Sequence, residues 1–279
     1  MEALRASYGD SSSSSDSDSE SESKSKSKTQ DFVLPPPPLD LLNPPDSHIT
    51  PDYLLGSQAN RIRSFPHVDG NYALHVYIPV HIPAAPKKEM IQFLKRVVSQ
   101  VQGLYVIDLD IPIDALCKDE QKLDQIVMGR EYHISLGRTV PVRVHQIDSI
   151  ITMLRQRLQI QKRYLIDFSK WEVFVNDDRT RSFLSIEILA GGLVQIRRQI
   201  QAVNEVYKLH NLPEFYEEAR PHISIAWALG DISESLEKAV GEGERGRGGG
   251  KKNMFSCEFS GIECKIGKKT HQICSRYKD

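Results

Sequence analysis

Two heptapeptides restrict this chain more than anything else in its sequence. Arg130-Glu131-Tyr132-His133-Ile134-Ser135-Leu136 is echoed by Ala219-Arg220-Pro221-His222-Ile223-Ser224-Ile225, with the two His 89 residues apart. Both hold His-apolar-Ser-apolar. Each follows a strand-and-helix stretch, so the echo points to two related lobes. With nine His and 39% hydrophobic residues, composition predicts about 0.15 such motifs by chance. Two occur.

The spacing carries a geometry. In a strand, residues i and i+2 share a face. His133 and Ser135 therefore share one face, with Ile134 and Leu136 on the other. His222 and Ser224 are set likewise against Ile223 and Ile225. If symmetric lobes bring these faces together, two imidazoles and two hydroxyls converge on one small volume. Imidazole titrates near neutral pH, so one His can serve as base and the other as acid. The hydroxyls can donate to a phosphoryl oxygen as charge builds up on it. Such a set suits attack of a ribose 2′-hydroxyl on its neighbouring phosphate. The product is a 2′,3′-cyclic phosphate, and no metal is required.

The rest of the chain is not uniform. Asp10 to Lys28 holds eleven Ser in nineteen residues and nothing apolar. Such a segment cannot offset its ordering entropy and is expected to be disordered. Eight of the fifteen Pro lie between positions 35 and 66, which reads as an extended linker or wrapping segment. Residues 1–65 are thus expected to be tail and linker, and 66–279 a two-lobed domain of roughly 200 residues. Gly241–Gly250 reads as a flexible loop.

Strands are expected over Tyr72–Val80, Leu104–Leu109, Tyr132–Leu136, two runs within Tyr164–Asn176, Arg181–Leu189, His222–Trp227, Phe255–Phe259, Glu263–Ile266 and His271–Ser275. Helices are expected over Pro86–Val101, Ile147–Gln161, Leu193–Leu209 and Ile232–Val240. This pattern predicts an α+β fold, with helices outside mostly antiparallel sheet.

The net charge of −1 conceals a gradient. Residues 1–28 carry −2, residues 29–244 carry −5 and residues 245–279 carry +6. That distribution argues against tight nonspecific binding along a duplex, but not against a local pocket for an RNA end. No run approaches about 18 consecutive apolar residues, so no membrane helix is predicted. The first residues, MEALRASYGDSSSSSD, do not read as a secretory signal. The four Cys do not read as a disulfide framework, which suggests a reducing cytosolic or nuclear setting.

At the two His-x-Ser motifs the sequence resembles the 2H phosphoesterases, over roughly Tyr72 to Ile266. The resemblance implies a bilobal α+β fold with a central cleft. Phe215 to Trp227, Thr180-Arg181-Ser182-Phe183 and the acidic, Pro-rich N-terminus resemble the RNA-trimming branch of that family. That branch implies a metal-independent, nuclear 3′-to-5′ exoribonuclease shortening the uridine tail of U6 small nuclear RNA. A 2′,3′-cyclic phosphate end would remain.

The resemblance makes His133 the proton acceptor and His222 the donor, although the two roles can exchange within a coupled pair. Ser135 and Ser224 would hold the scissile phosphate. Tyr216 would stack on the terminal base, a contact that tolerates any base and contributes about 1–3 kcal/mol. Glu218, Ala219, Arg220, Pro221 and Ile223 would line the nucleotide pocket largely through backbone, with Ile134 beside them. Asp177 matches a base-contacting position, although a carboxylate cannot donate to a base carbonyl. No cofactor or metal is expected. The partner is a single-stranded, uridine-rich RNA 3′ end bound by a monomer, with spliceosomal RNA-associated proteins as further partners and no membrane.

The other seven His (His48, His67, His75, His81, His145, His210 and His271) read as structural or solvated. Cys257, Cys264, Cys274 and His271 lack the Cys-x2–4-Cys spacing of zinc knuckles. Two further readings stay open at this point. One is a different 2H enzyme, ligase-like or acting on cyclic nucleotides; the other is a non-catalytic RNA-binding module.

Overall fold

The computed structural model describes residues 65–66, 68–109, 111–245 and 253–275. The expected tail and linker lie, apart from Phe65, outside the described residues, as do His48, His67 and residues 246–252.

Ten strands and six helices form among the described residues. Strand β1 (Asn71–Val80) shows why its residues choose a strand. Leu74, Val76, Ile78 and Val80 are buried, while His75, Tyr77 and Pro79 between them face the other way. Helix α1 (Ala84–Val98) repeats apolar residues every three to four positions. It buries Met90, Ile91, Leu94 and Val97, with Lys95 and Arg96 in its last turn facing the negative end of its dipole. Then come β2 (Leu104–Val106), α2 (Ile113–Cys117), α3 (Glu120–Gly129), β3 (Tyr132–Ser135), β4 (Val140–Arg143) and α4 (Val144–Leu158). The chain continues through β5 (Leu165–Val175), β6 (Arg181–Ile188), α5 (Leu193–Leu209), β7 (His222–Leu229), α6 (Ser233–Glu244), β8 (Phe255–Glu258), β9 (Gly261–Ile266) and β10 (Lys269–Ser275).

The strands form one antiparallel sheet in the order β10-β9-β1-β3-β7-β6-β5-β8, with β4 added beside β1 and β2 beside β7. The fold is therefore α+β, and its two lobes are halves of a continuous sheet. Each half repeats one plan. The motif strand pairs with a neighbour from which it is separated in sequence by a helical stretch: β3 with β1, and β7 with β6. The helices are exchanged between the halves. α1 follows β1, yet it packs with α3 and α6 over the half containing β5, and its Phe93 stacks on Trp171 of β5 at 4.2 Å. α5 follows β6 and packs on α4, which lies against β4 and β10 of the other half.

Several elements depart from the expected ones. Helix α4 begins at Val144 rather than Ile147, because the Gln146 side chain accepts from the Arg143 backbone N–H at 2.9 Å and caps the earlier start. β5 is one strand with a register shift between Phe168 and Lys170, which is where the bend between its two runs falls. α6 runs to Glu244, so the first four residues of the expected Gly-rich loop are helical. Gly243 is buried there, and its missing side chain makes room for the Phe93 ring. Helices α2 and α3 and strand β4 were not expected. β4 contains Pro141, which argues against a central strand; it pairs only with the start of β1, as an edge. Buried Lys87 donates to the carbonyls of Met128 and Arg130 at 2.7 and 2.8 Å, closing the end of α3 where the chain enters β3.

Candidate active site

The two halves of the sheet meet where β3 pairs with β7, at Ile134 opposite Ile223. Both Ile side chains are fully buried. In an antiparallel pair this register sets His133 across from Ser224 and Ser135 across from His222. All four side chains then point to the open face of the sheet, with opposed Cβ atoms about 5 Å apart. Two short motifs remote in sequence thus become one cluster of two imidazoles and two hydroxyls.

Each imidazole is oriented by its neighbours. Nδ1 of His222 lies 2.7 Å from the Arg220 carbonyl oxygen. A carbonyl only accepts, so Nδ1 carries the hydrogen and Nε2 is left for chemistry. The ring stacks on Phe174 at 4.1 Å. The Arg220 guanidinium lies over Phe174 at 4.6 Å and donates twice to buried Glu187, at 2.7 Å in each bond. His133 packs edge-on against His75 at 4.9 Å and beside Tyr77 at 5.3 Å. The Tyr77 hydroxyl donates to Glu263 at 2.9 Å.

Burial pushes the pKa of both His133 and His222 below that of a free imidazole. Asp108 opposes this at His133, and the Arg220 carbonyl and Glu187 oppose it at His222. His133 also lowers His222, so the two belong to one electrostatic system. The hydroxyls are partnered differently. Ser135 Oγ is 3.0 Å from Nε2 of His75, whereas Ser224 Oγ is 3.4 Å from Ser185 Oγ.

The remaining expected residues divide into groups. Ile134 and Ile223 bury their side chains in the core, and Pro221 is buried; at the open face only the backbone of the two Ile is available. Tyr216, Glu218, Ala219 and Arg220 line a cleft of about 680 Å³ against Arg197, Asn204 and Lys208 of α5. None of the four motif His and Ser borders this cleft. Asp177 accepts from Arg138 at 2.8 Å, and the Arg138 guanidinium lies 4.0 Å over the Tyr216 ring. Arg138 thus brings Asp177 and Tyr216 together, and Tyr216 remains 42% exposed.

Sequence reasoning missed His75, Tyr77, Phe174 and Ser185 around the motif His and Ser, and Arg138 between Tyr216 and Asp177. The sequence alone reads His75 as structural or solvated. A signal existed: His75 and Tyr77 alternate with buried Leu74, Val76 and Ile78, so they share the polar face of β1. That β1 would lie beside β3 was not readable. Among the described residues, no group of three His, Cys, Asp or Glu could hold a metal ion, and no helix is long and apolar enough to cross a membrane.

Fold and site together define an α+β protein whose paired His-x-Ser strands meet at the centre of one sheet. A model of the HVSL family, described as an uncharacterised conserved protein, matches residues 35–274, and the chain belongs to that family. It is 28% identical over 210 residues to U6 snRNA phosphodiesterase 1 of Mus musculus, covering 72% of this chain and 70% of that relative. To U6 snRNA phosphodiesterase 1 of Danio rerio it is 32% identical over 180 residues, covering 64% of this chain and 56% of that relative. The solved structure of Kluyveromyces marxianus Usb1 with uridine monophosphate is 13% identical with a TM-score of 0.49, covering 73% of this chain and 96% of that one.

Proposed function

We propose that this protein is an RNA phosphodiesterase that trims the uridine-rich 3′ end of U6 small nuclear RNA as a 3′-to-5′ exonuclease. The observation that carries the reading is the Ile134–Ile223 pairing, which gathers two imidazoles and two hydroxyls on one open face. The similarity to U6 snRNA phosphodiesterases supports the choice of substrate. Such an RNA is met in the nucleus, and the protein is taken to act on it as a monomer.

His133 takes the proton of the penultimate ribose 2′-hydroxyl as that oxygen bonds to phosphorus. The bond from phosphorus to the 5′ oxygen breaks, and His222 protonates that oxygen as the terminal nucleoside leaves. The Arg220 carbonyl and Glu187 both favour the imidazolium of His222, which supports giving it the donor's role. Ser135 and Ser224 donate to the non-bridging oxygens, where charge accumulates. Tyr216 stacks on the departing base with the ring face that Arg138 leaves uncovered, and Asp177 holds Arg138 in place. Glu218, Ala219, Arg220 and Pro221 shape the nucleotide pocket, and Ile134 and Ile223 contribute backbone only.

The test is full-length protein with oligouridine bearing a free 3′ end, in EDTA. The expected result is release of uridine in the first step and of uridine 2′,3′-cyclic phosphate in each later one, with a 2′,3′-cyclic phosphate kept on the shortened RNA. His133→Ala and His222→Ala should each lower the rate by about 10²–10⁴-fold. Methylating the penultimate 2′-oxygen should stop cleavage. Activity confined to cyclic mononucleotides, or cleavage at an unchanged rate after methylation, would overturn the reading.

A further inference from the structure

We propose that His75 is a positioning residue for this reaction: its Nε2–H donates to Oγ of Ser135 and turns the Ser135 hydroxyl hydrogen out toward the scissile phosphate. The inference rests on the phosphodiesterase reading and adds to the site a third histidine from β1, outside both motifs.

The argument begins with the hydroxyl. A serine has one O–H donor and two acceptor lone pairs. To bind a phosphate oxygen, Ser135 must spend its single hydrogen on that oxygen. Nε2 of His75 lies 3.0 Å from Ser135 Oγ, so one of two arrangements holds. If Nε2 is bare, Ser135 donates inward, and an incoming phosphate meets a lone pair. If Nε2 carries hydrogen, Ser135 accepts from it and its own O–H is free to point outward. Accepting one bond also polarises the hydroxyl and strengthens the bond it donates.

The surroundings hold His75 in one place and one charge state. Its ring stacks on Tyr77 at 5.1 Å and meets the edge of His133 at 4.9 Å. Lys265 stands opposite it in β9. Burial, with His133 and Lys265 adding to it, lowers its pKa to about 3. His75 is therefore neutral near neutral pH and does not compete with His133 and His222 for protons.

The other half of the sheet lacks this device. Tyr77 stands opposite Ser135, and Ser185 stands opposite Ser224. Two residues before each partner along its strand, β1 carries His75 and β6 carries Phe183. Ser224 therefore has a rotatable hydroxyl at 3.4 Å for a partner where Ser135 has an imidazole. The two phosphate-facing serines are not equivalent, and Ser135 is the one whose hydrogen is directed.

The test compares full-length His75→Leu, His75→Gln, Ser135→Ala and the His75→Leu/Ser135→Ala double variant on oligouridine. His75→Leu should lower kcat on the order of tenfold to a hundredfold through misorientation. KM should change little, because the bond strengthens as charge develops in the transition state. The Gln amide N–H reaches the same region, so His75→Gln should recover most of the loss. In the Ser135→Ala background, His75→Leu should cost nothing more, since its effect runs through that hydroxyl. An equal loss in both backgrounds, or His75→Gln no better than His75→Leu, would overturn the inference. A second readout needs no turnover: ¹⁵N NMR of the histidine rings should find His75 protonated at Nε2, with that signal moving in Ser135→Ala. A bare Nε2 overturns the proposal. A wild-type protein inactive on oligouridine would instead count against the phosphodiesterase reading, and the tautomer would still decide whether His75 directs Ser135.

Discussion

At the scale of single residues, the chemistry turns on where protons sit. His133 and His222 both have lowered pKa values, while the reaction needs one imidazole neutral and the other protonated. In the free enzyme the proton donor is therefore the scarce species. The value of kcat/KM should fall as pH rises through neutrality, with an apparent pKa below 6.5 on the alkaline side. Bound phosphate favours the imidazolium, so kcat should hold to a higher pH than kcat/KM. Initial rates against pH, at low and at saturating oligouridine, check this; a kcat/KM that stays flat to pH 8 would contradict it. His75 gives a separate signature in stability. Its folded pKa of about 3 lies below the ordinary 6.5, so between those values the unfolded chain binds the extra proton. Stability should be unaffected by His75 above pH 6.5. It should decline as pH falls through the window, by on the order of 1 kcal/mol per pH unit. Urea titrations of wild type and His75→Leu should show a shallower decline in the variant.

At the scale of elements, α6 shows how packing overrides local propensity. Gly241 and Gly243 look alike in a run rich in glycine, and both are read from sequence as loop. In the structure both are helical. A Cβ on Gly241 meets nothing within 4 Å, whereas one on Gly243 meets the Phe93 ring at 2.9 Å. Gly241→Ala should stabilise the protein by up to about 1 kcal/mol through helix propensity. Gly243→Ala should destabilise it by about 1–3 kcal/mol, because Phe93 is already stacked on Trp171 and has little room to give. Urea midpoints moving in the same direction for both would refute this picture of α6. Helix α3 illustrates a signal that was present but unread. The Asp119 side chain accepts from the Gln121 N–H, and Leu123 and Val127 are buried four residues apart. β4 offered less to read, since four residues with a Pro among them become a strand only because the start of β1 lies beside them.

At the scale of the whole molecule, the halves of the sheet join at one short seam. Ile134 and Ile223 are each fully buried and directly paired there. Ile134→Ala and Ile223→Ala should each cost about 2–5 kcal/mol. Because the residues touch, the double variant should lose less or more than the sum, with a coupling of about 0.5–3 kcal/mol measurable in a urea double-mutant cycle. Activity should fall with each, since the same pairing sets His133 across from Ser224. Strict additivity would mean that the seam is not a shared contact. The charge gradient belongs to this scale too. A net charge of −1 with a basic C-terminal stretch suits a protein that grips one RNA end more than one that coats a duplex.

The alternation of apolar and polar residues alone determined that the two His-x-Ser segments are strands and that each places its His and Ser on the polar face. Period-two patterning is a local property, and local properties are written in consecutive residues. The same holds for most of the strands and for the core of each long helix. Tertiary structure decided which strands become neighbours. It set Ile134 opposite Ile223, brought His75 from β1 to Ser135, and stacked Phe174 on His222. It also moved Tyr216 and Asp177 into a separate cluster around Arg138. Those contacts join residues tens of positions apart, and strand order and register follow from how the exchanged helices and the seam pack together.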